Sequence, residues 1–182
     1  MTASVSMTAP AEVYRARRAK LAASLSRPLV LFAGEPRARQ YATNTYPFRA
    51  ASNYLYFGGP PVPGAALLIE PGSDGDDGCL LIRRRIDFEE IVWIGDVPSD
   101  SALAEASGMA QRNFLTPDRL DERVKGRRAA YLAPPCPPTM EWVRRLELEP
   151  ASPDDIQPII DQRLIKDDHE LSAMRFAAEV AV

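Results

Sequence analysis

The stretch NTYPFRAASNYLYFGG, Asn44–Gly59, gathers three Tyr and two Phe around a single Arg and closes on a Gly pair. Aromatic residues suit a pleated, half-buried surface, so this segment is predicted to enter the core as a strand. Tyr54, Tyr56 and Gly58 would then face one way, and Leu55 and Phe57 the other. Arg49, just before the strand, is expected to pair with a carboxylate. Packing is the expected role of the aromatic rings.

Working outward from that stretch, residues 11–25, AEVYRARRAKLAASL, place Tyr14, Leu21 and Leu25 at helical spacing, with arginines and a lysine on the other face. PLVLFAG, 28–34, is a short continuous apolar run, the pattern of a strand covered on both sides. Beyond the aromatic segment, GAALLIEPG and CLLIRRR flank the turn-rich SDGDDG and predict a β-hairpin. From Ser99 onward short helices and strands alternate. SDSALAEASG, TPDRLDERVKG and PTMEWVRRLEL carry helix signals, and RNFL and RAAYLAPP strand signals. The predicted class is therefore α/β, a mixed sheet flanked by helices, with the hairpin as its antiparallel part.

EPASPDDIQPIIDQRLI, 149–165, holds three prolines and no sustained period, which predicts a linker whose Ile159, Ile160 and Leu164 pack. DDHELSAMRFAAEVAV, 167–182, opens with a capping box from Asp167 to Glu170. It carries Leu171, Met174, Ala178 and Val182 on one stripe, which needs a partner.

The chain has 182 residues, of which 46% are hydrophobic and 26% charged, with a net charge of −3. Scattered arginines among acids give no nucleic-acid footprint. No run approaches the roughly 18 apolar residues of a membrane span, and MTASVSMTAP lacks the parts of a signal peptide, so a cytoplasmic location is expected. Cys79 and Cys136 match no metal or redox spacing and are expected to be free thiols. Single glycines after the first strand exclude a dinucleotide fingerprint, and there is no P-loop. The clustered acids of SDGDDG lack the ligand series of a calcium loop. Arg83, Arg84 and Arg85 read as solvated, and the single histidine, His169, as structural or exposed. No complete active site is present in these residues, and no catalytic or metal-ligating residue is assigned.

Five stretches together carry a resemblance: YRARRAKLAASL, YPFRAASNYLYFGG, GAALLIEP, FEEIVWIGD and IIDQRLIKDDHELSAMRFAAE. In that order they are similar to the N-terminal domain of Xaa-Pro aminopeptidase (aminopeptidase P), of the creatinase-like, pita-bread metallopeptidases. The family's aromatic motif is matched at Tyr46, Pro47, Phe48, Arg49, Ser52, Tyr56 and, with one residue fewer before it, Gly58. Ala50 and Ala51 stand where the family often has polar residues, and Asn53 where it often has Asp.

The resemblance implies an aminopeptidase P N-terminal domain over residues 1–150. Residues 151–182 would be a linker and the first helix of a pita-bread catalytic domain, which is the expected partner. It implies a homo-oligomer in which Trp93, within EIVWIG with Glu90 and Gly95, reaches a neighbour's active site. Simple packing of Trp93 is the alternative. Two divalent metals, manganese by resemblance, would be held by two Asp, one His and two Glu of the catalytic domain, acting on proline-containing peptides. The chain alone is expected to be inactive, shaping access to the site and building the oligomer. A stand-alone binding or assembly module of the same fold is the other reading, and a prolidase- or creatinase-type substrate remains open.

Overall fold

The computed structural model describes residues 9–41, 44–74, 78–87, 89, 91, 97–134 and 136–180. Its centre is a six-stranded mixed sheet of β1 (Leu29–Phe32), β2 (Ala66–Ile69), β3 (Cys79–Ile82), β4 (Phe114–Leu115), β5 (Ala130–Leu132) and β6 (Glu149–Pro150), in the order β4-β3-β2-β1-β5-β6. β2 lies antiparallel to both β1 and β3, with Leu29 opposite Ile69 and Ala66 opposite Ile82. The β3–β4, β1–β5 and β5–β6 pairs are parallel.

Every residue of β1, β2 and β3 is buried, because helices cover both faces and side chains alternate between them. Leu29, Leu31, Leu67, Ile69 and Leu81 face α1 (Ala11–Ser24), α2 (Ser52–Gly58), α3 (Asp100–Ser107) and the later helix carrying Ile159. Val30, Phe32, Leu68, Leu80 and Ile82 face α4 (Pro117–Val124) and α5 (Pro137–Arg145), where Leu120, Val124 and Val143 close the second core. Each of these fully buried aliphatic side chains contributes roughly 1.5–3 kcal/mol by leaving water. α6 (Pro153–Leu164) and α7 (Asp168–Val180) follow β6.

The α/β class, the hairpin, and the helices from Ser99 to Arg145 agree with expectation. Ser99 caps α3 by accepting from the Ala102 N–H, and Gly108 ends it at φ 67°. Ala11 O would lie 2.5 Å from a Cβ on Gly108, so the start of α1 can approach only because that side chain is missing.

Three expectations are corrected. The aromatic segment is no strand: Ser52–Gly58 is helical, and Tyr54 and Phe57, at i and i+3, share its buried face. Its entry is pinned by the Ala51 N–H donating to Ala33 O at the end of β1. Its exit is Gly59, at φ 83°, under the Tyr14 ring. Among the described residues Arg49 meets no carboxylate. It lies exposed and donates to Ser52 Oγ at 3.3 Å, in a span, 36–69, that contains no acid at all. Finally, residues 153–164 of the expected linker form α6, capped by reciprocal bonds between Ser152 and Asp155, with Pro153 at its first position.

Candidate functional site

The side chains most closely engaged with one another lie where α1, α2, α6 and α7 meet, and adjacent arginines on α1 organise that seam. Arg18 falls on the buried stripe with Tyr14 and Leu21 and is fully enclosed. Its guanidinium donates to the carbonyls of Phe57 (2.9 Å), Ser107 (2.9 Å) and Gly108 (3.3 Å). These are the C-terminal ends of α2 and α3, where orphan carbonyls and the helix dipole favour a cation. Arg18 thus ties three helices together from inside.

Arg17 points into the seam itself, with its side chain 10% exposed. Nη1 donates to Tyr56 O at 3.2 Å, and the guanidinium carbon stands 3.9 Å from the Tyr56 ring centroid. Nη2 reaches Asp167 Oδ2 at 2.6 Å and Glu170 Oε2 at 3.3 Å. Tyr56 donates its hydroxyl to Gln162 O of α6 at 3.1 Å, and burial pushes that hydroxyl's pKa up. Arg163 stands over the same ring and donates to Asn53 Oδ1 at 2.5 Å. Burial alone would raise the Asp167 carboxyl, but the Glu170 N–H and the Arg17 guanidinium together hold it below the ordinary range.

α6 is also fixed at its far end. Asp155, 3% exposed, pairs with Arg27 at 2.7 Å while Arg27 also bonds Glu149. Burial opposes the Asp155 charge, yet Arg27 and Ser152 keep its carboxyl below the ordinary range. In contrast, Leu164, Ile165, Met174 and Val180 are exposed apolar side chains along the C-terminal end of α6 and along α7.

Residues 14–130 match the family model for Aminopeptidase P, N-terminal domain. The chain belongs to that family.

Solved structures of aminopeptidase P share its fold. The Escherichia coli enzyme with the inhibitor Pro-Leu is 23% identical over 94% of this chain and 43% of that one, with a TM-score of 0.75. Its low-pH form is 22% identical over 94% and 42%, at 0.72. Proline aminopeptidase P II from Yersinia pestis is 21% identical over 94% and 43%, at 0.76. The chain therefore spans under half the length of these relatives. No curated protein matches it.

Within this aminopeptidase P N-terminal domain, the predicted motif residues separate into two groups. Ser52, Tyr56 and Gly58 belong to α2, where Tyr56 faces the seam and Gly58 backs onto the Tyr54 ring. Tyr46 and Pro47 are exposed on the preceding loop, Tyr46 with Arg39 over its ring at 4.7 Å. Among the described residues Arg49 donates to Ser52. Glu90, Trp93 and Gly95 lie outside the described residues. Neither Cys79 nor Cys136 forms a disulfide among the described residues, and Arg83 is paired with Asp100 at 2.8 Å. Among the described residues no three His, Cys, Asp or Glu side chains are placed to hold a metal ion.

Sequence reading missed Arg17, Arg18 and Arg163, and it noted Asn53 only as a departure from the family's usual Asp. A signal for Arg18 was present: residues 14, 18, 21 and 25 fall on one helical stripe, so one arginine had to turn inward.

Proposed function

We propose that this chain is the non-catalytic N-terminal domain of an Xaa-Pro aminopeptidase, which releases the N-terminal residue that precedes proline. The observation that carries this reading is the family match over residues 14–130, in a chain that spans 42 to 43% of the aminopeptidase P structures it resembles. The exposed apolar side chains of α6 and α7 support it, since a surface of this kind calls for a covering partner. In this reading the partner is the catalytic domain, and residues 151–182 lead into it.

The described residues do not fit the family's two divalent metals, so those metals, manganese by resemblance, would be held by the catalytic domain. No reaction step is assigned to this chain. Its part is to restrict access to the mouth of the site and to build the homo-oligomer through which Trp93 would touch a neighbour's proline-containing peptide.

A peptidase assay with an Xaa-Pro-headed peptide and Mn²⁺ tests this. Cleavage is expected from the product of the whole reading frame and none from the 182 residues alone. Cleavage by the 182 residues alone overturns the division of labour, and no cleavage by the whole product overturns the Xaa-Pro reading.

A further inference from the structure

β3 ends at Ile82 and α3 begins at Asp100, and the first residue between them, Arg83, bonds to the far end of the connection. Its N–H donates to Leu115 O at 2.9 Å, beside the parallel pairing of β3 with β4. Its side chain reaches forward along the sequence. Nη1 donates to Pro98 O at 3.1 Å, and Nη2 meets Asp100 Oδ1 at 2.8 Å. Asp100 stands in the first turn of α3, which Ser99 caps and where the helix dipole favours a negative charge. The Arg83 charge also acts on the buried Tyr54 hydroxyl of α2, opposing the rise that burial imposes on its pKa. With its side chain 18% exposed, Arg83 is not the solvated charge expected from the sequence. Leu115, Pro98 and Asp100 all belong to the sheet edge and the start of α3, so this fastening lies within the domain whatever packs outside it.

We infer that Arg83 is a positioning residue, whose guanidinium clasps the two ends of segment 84–97 and so sets where that segment leaves the body and returns to it. Holding the ends of a span together removes conformations from everything between them, at an entropic cost that grows only slowly with length. A planar guanidinium suits the task because its fork serves a carbonyl and a carboxylate at once, which the point charge of a lysine does less well. By sequence the clasped segment carries Trp93, which lies outside the described residues. The consequence, that Arg83 presents Trp93 to a peptide, rests on the function proposed above; the clasp itself does not.

Amide exchange on the product of the whole reading frame, read without substrate, tests the clasp apart from any peptidase activity. Arg83→Met keeps the aliphatic stem and loses both side-chain bonds. Exchange across 84–97, including the Ile91 N–H that donates to Asp87 O, is expected to rise about tenfold while β1, β2 and β5 keep their protection. Arg83→Lys should recover part of the loss. Asp100→Asn leaves the Ser99 cap and the Pro98 bond in place, and should raise exchange in the same segment about threefold even if Arg83→Met fails to fold. Unchanged exchange in 84–97, or a loss of protection shared equally with the sheet, overturns the clasp. Steady-state kinetics of the same variants on an Xaa-Pro-headed peptide then test its consequence: KM is expected to rise with kcat little changed. Raised exchange with an unchanged KM leaves the clasp standing and overturns the contact between Trp93 and the peptide.

Discussion

α6 and α7 are consecutive helices that begin alike and end differently. Both start with reciprocal bonds between a cap residue and an acid three positions on, Ser152 with Asp155 and Asp167 with Glu170. α6 then buries Asp155, Ile159 and Gln162 against the body, whereas no residue of α7 is fully buried among the described residues. A capping box fixes where a helix starts, at about 1 kcal/mol. Whether that helix belongs to the body is decided by the face it can bury. Among the described residues Arg27 completes the anchoring of α6, and Arg17 pairs with both acids at the start of α7.

The largest break in this contrast should come from Asp155→Ala, which removes the carboxylate half of the reciprocal cap of α6 and leaves Arg27 short of a buried partner. A loss of about 3 kcal/mol in urea denaturation is expected, spread over the whole domain. Acid should act on both helices together. The carboxyls of Asp155 and Asp167 are held below their ordinary value of 3.8, so the unfolded chain takes up protons before the folded one does. Their stabilisation is present above that value and is lost as pH falls through the lowered folded values. Urea midpoints should stay level from about pH 7 to about 5 and drop below about 4, a decline that Asp155→Asn should weaken.

Tyr56→Phe sharpens the comparison further by removing the hydroxyl bond to α6 while keeping the ring beneath Arg17. A cost of about 1 kcal/mol in urea denaturation is expected. Tyr54→Phe, two residues away in sequence but inside the core, should cost nothing or stabilise slightly. Among the described residues the Tyr54 hydroxyl is buried without a partner, and its pKa is pushed up by burial. A measured loss of 1 kcal/mol there would mean that the hydroxyl has a partner in solution.

The two arginines of α1 explain how much of the seam was legible in the sequence. Periodicity alone identified the stripe of Tyr14, Leu21 and Leu25, and a count of that stripe includes residue 18. What a buried guanidinium needs is a set of acceptors, and these are carbonyls of Phe57, Ser107 and Gly108, distant in sequence and invisible as side-chain types. The α6 cap was legible in Ser152, Pro153 and Asp155, but the prolines around it carried more weight in the reading. The aromatic stretch resisted for another reason. Between Tyr54 and Phe57 every residue is apolar, so a period of two and a period of 3.6 fit equally.

By itself the sequence determined the layered α/β class, the hairpin and the family, because apolar runs such as Leu29–Phe32 and Ala66–Ile69 have no stable place except a sheet covered on both sides. Only the tertiary structure decided that the aromatic stretch is a helix, that Arg18 lies inside, and that Arg17 pairs with Asp167 and Glu170. Those outcomes depend on acceptors and surfaces contributed by segments that are near only after folding, and no local spacing encodes them.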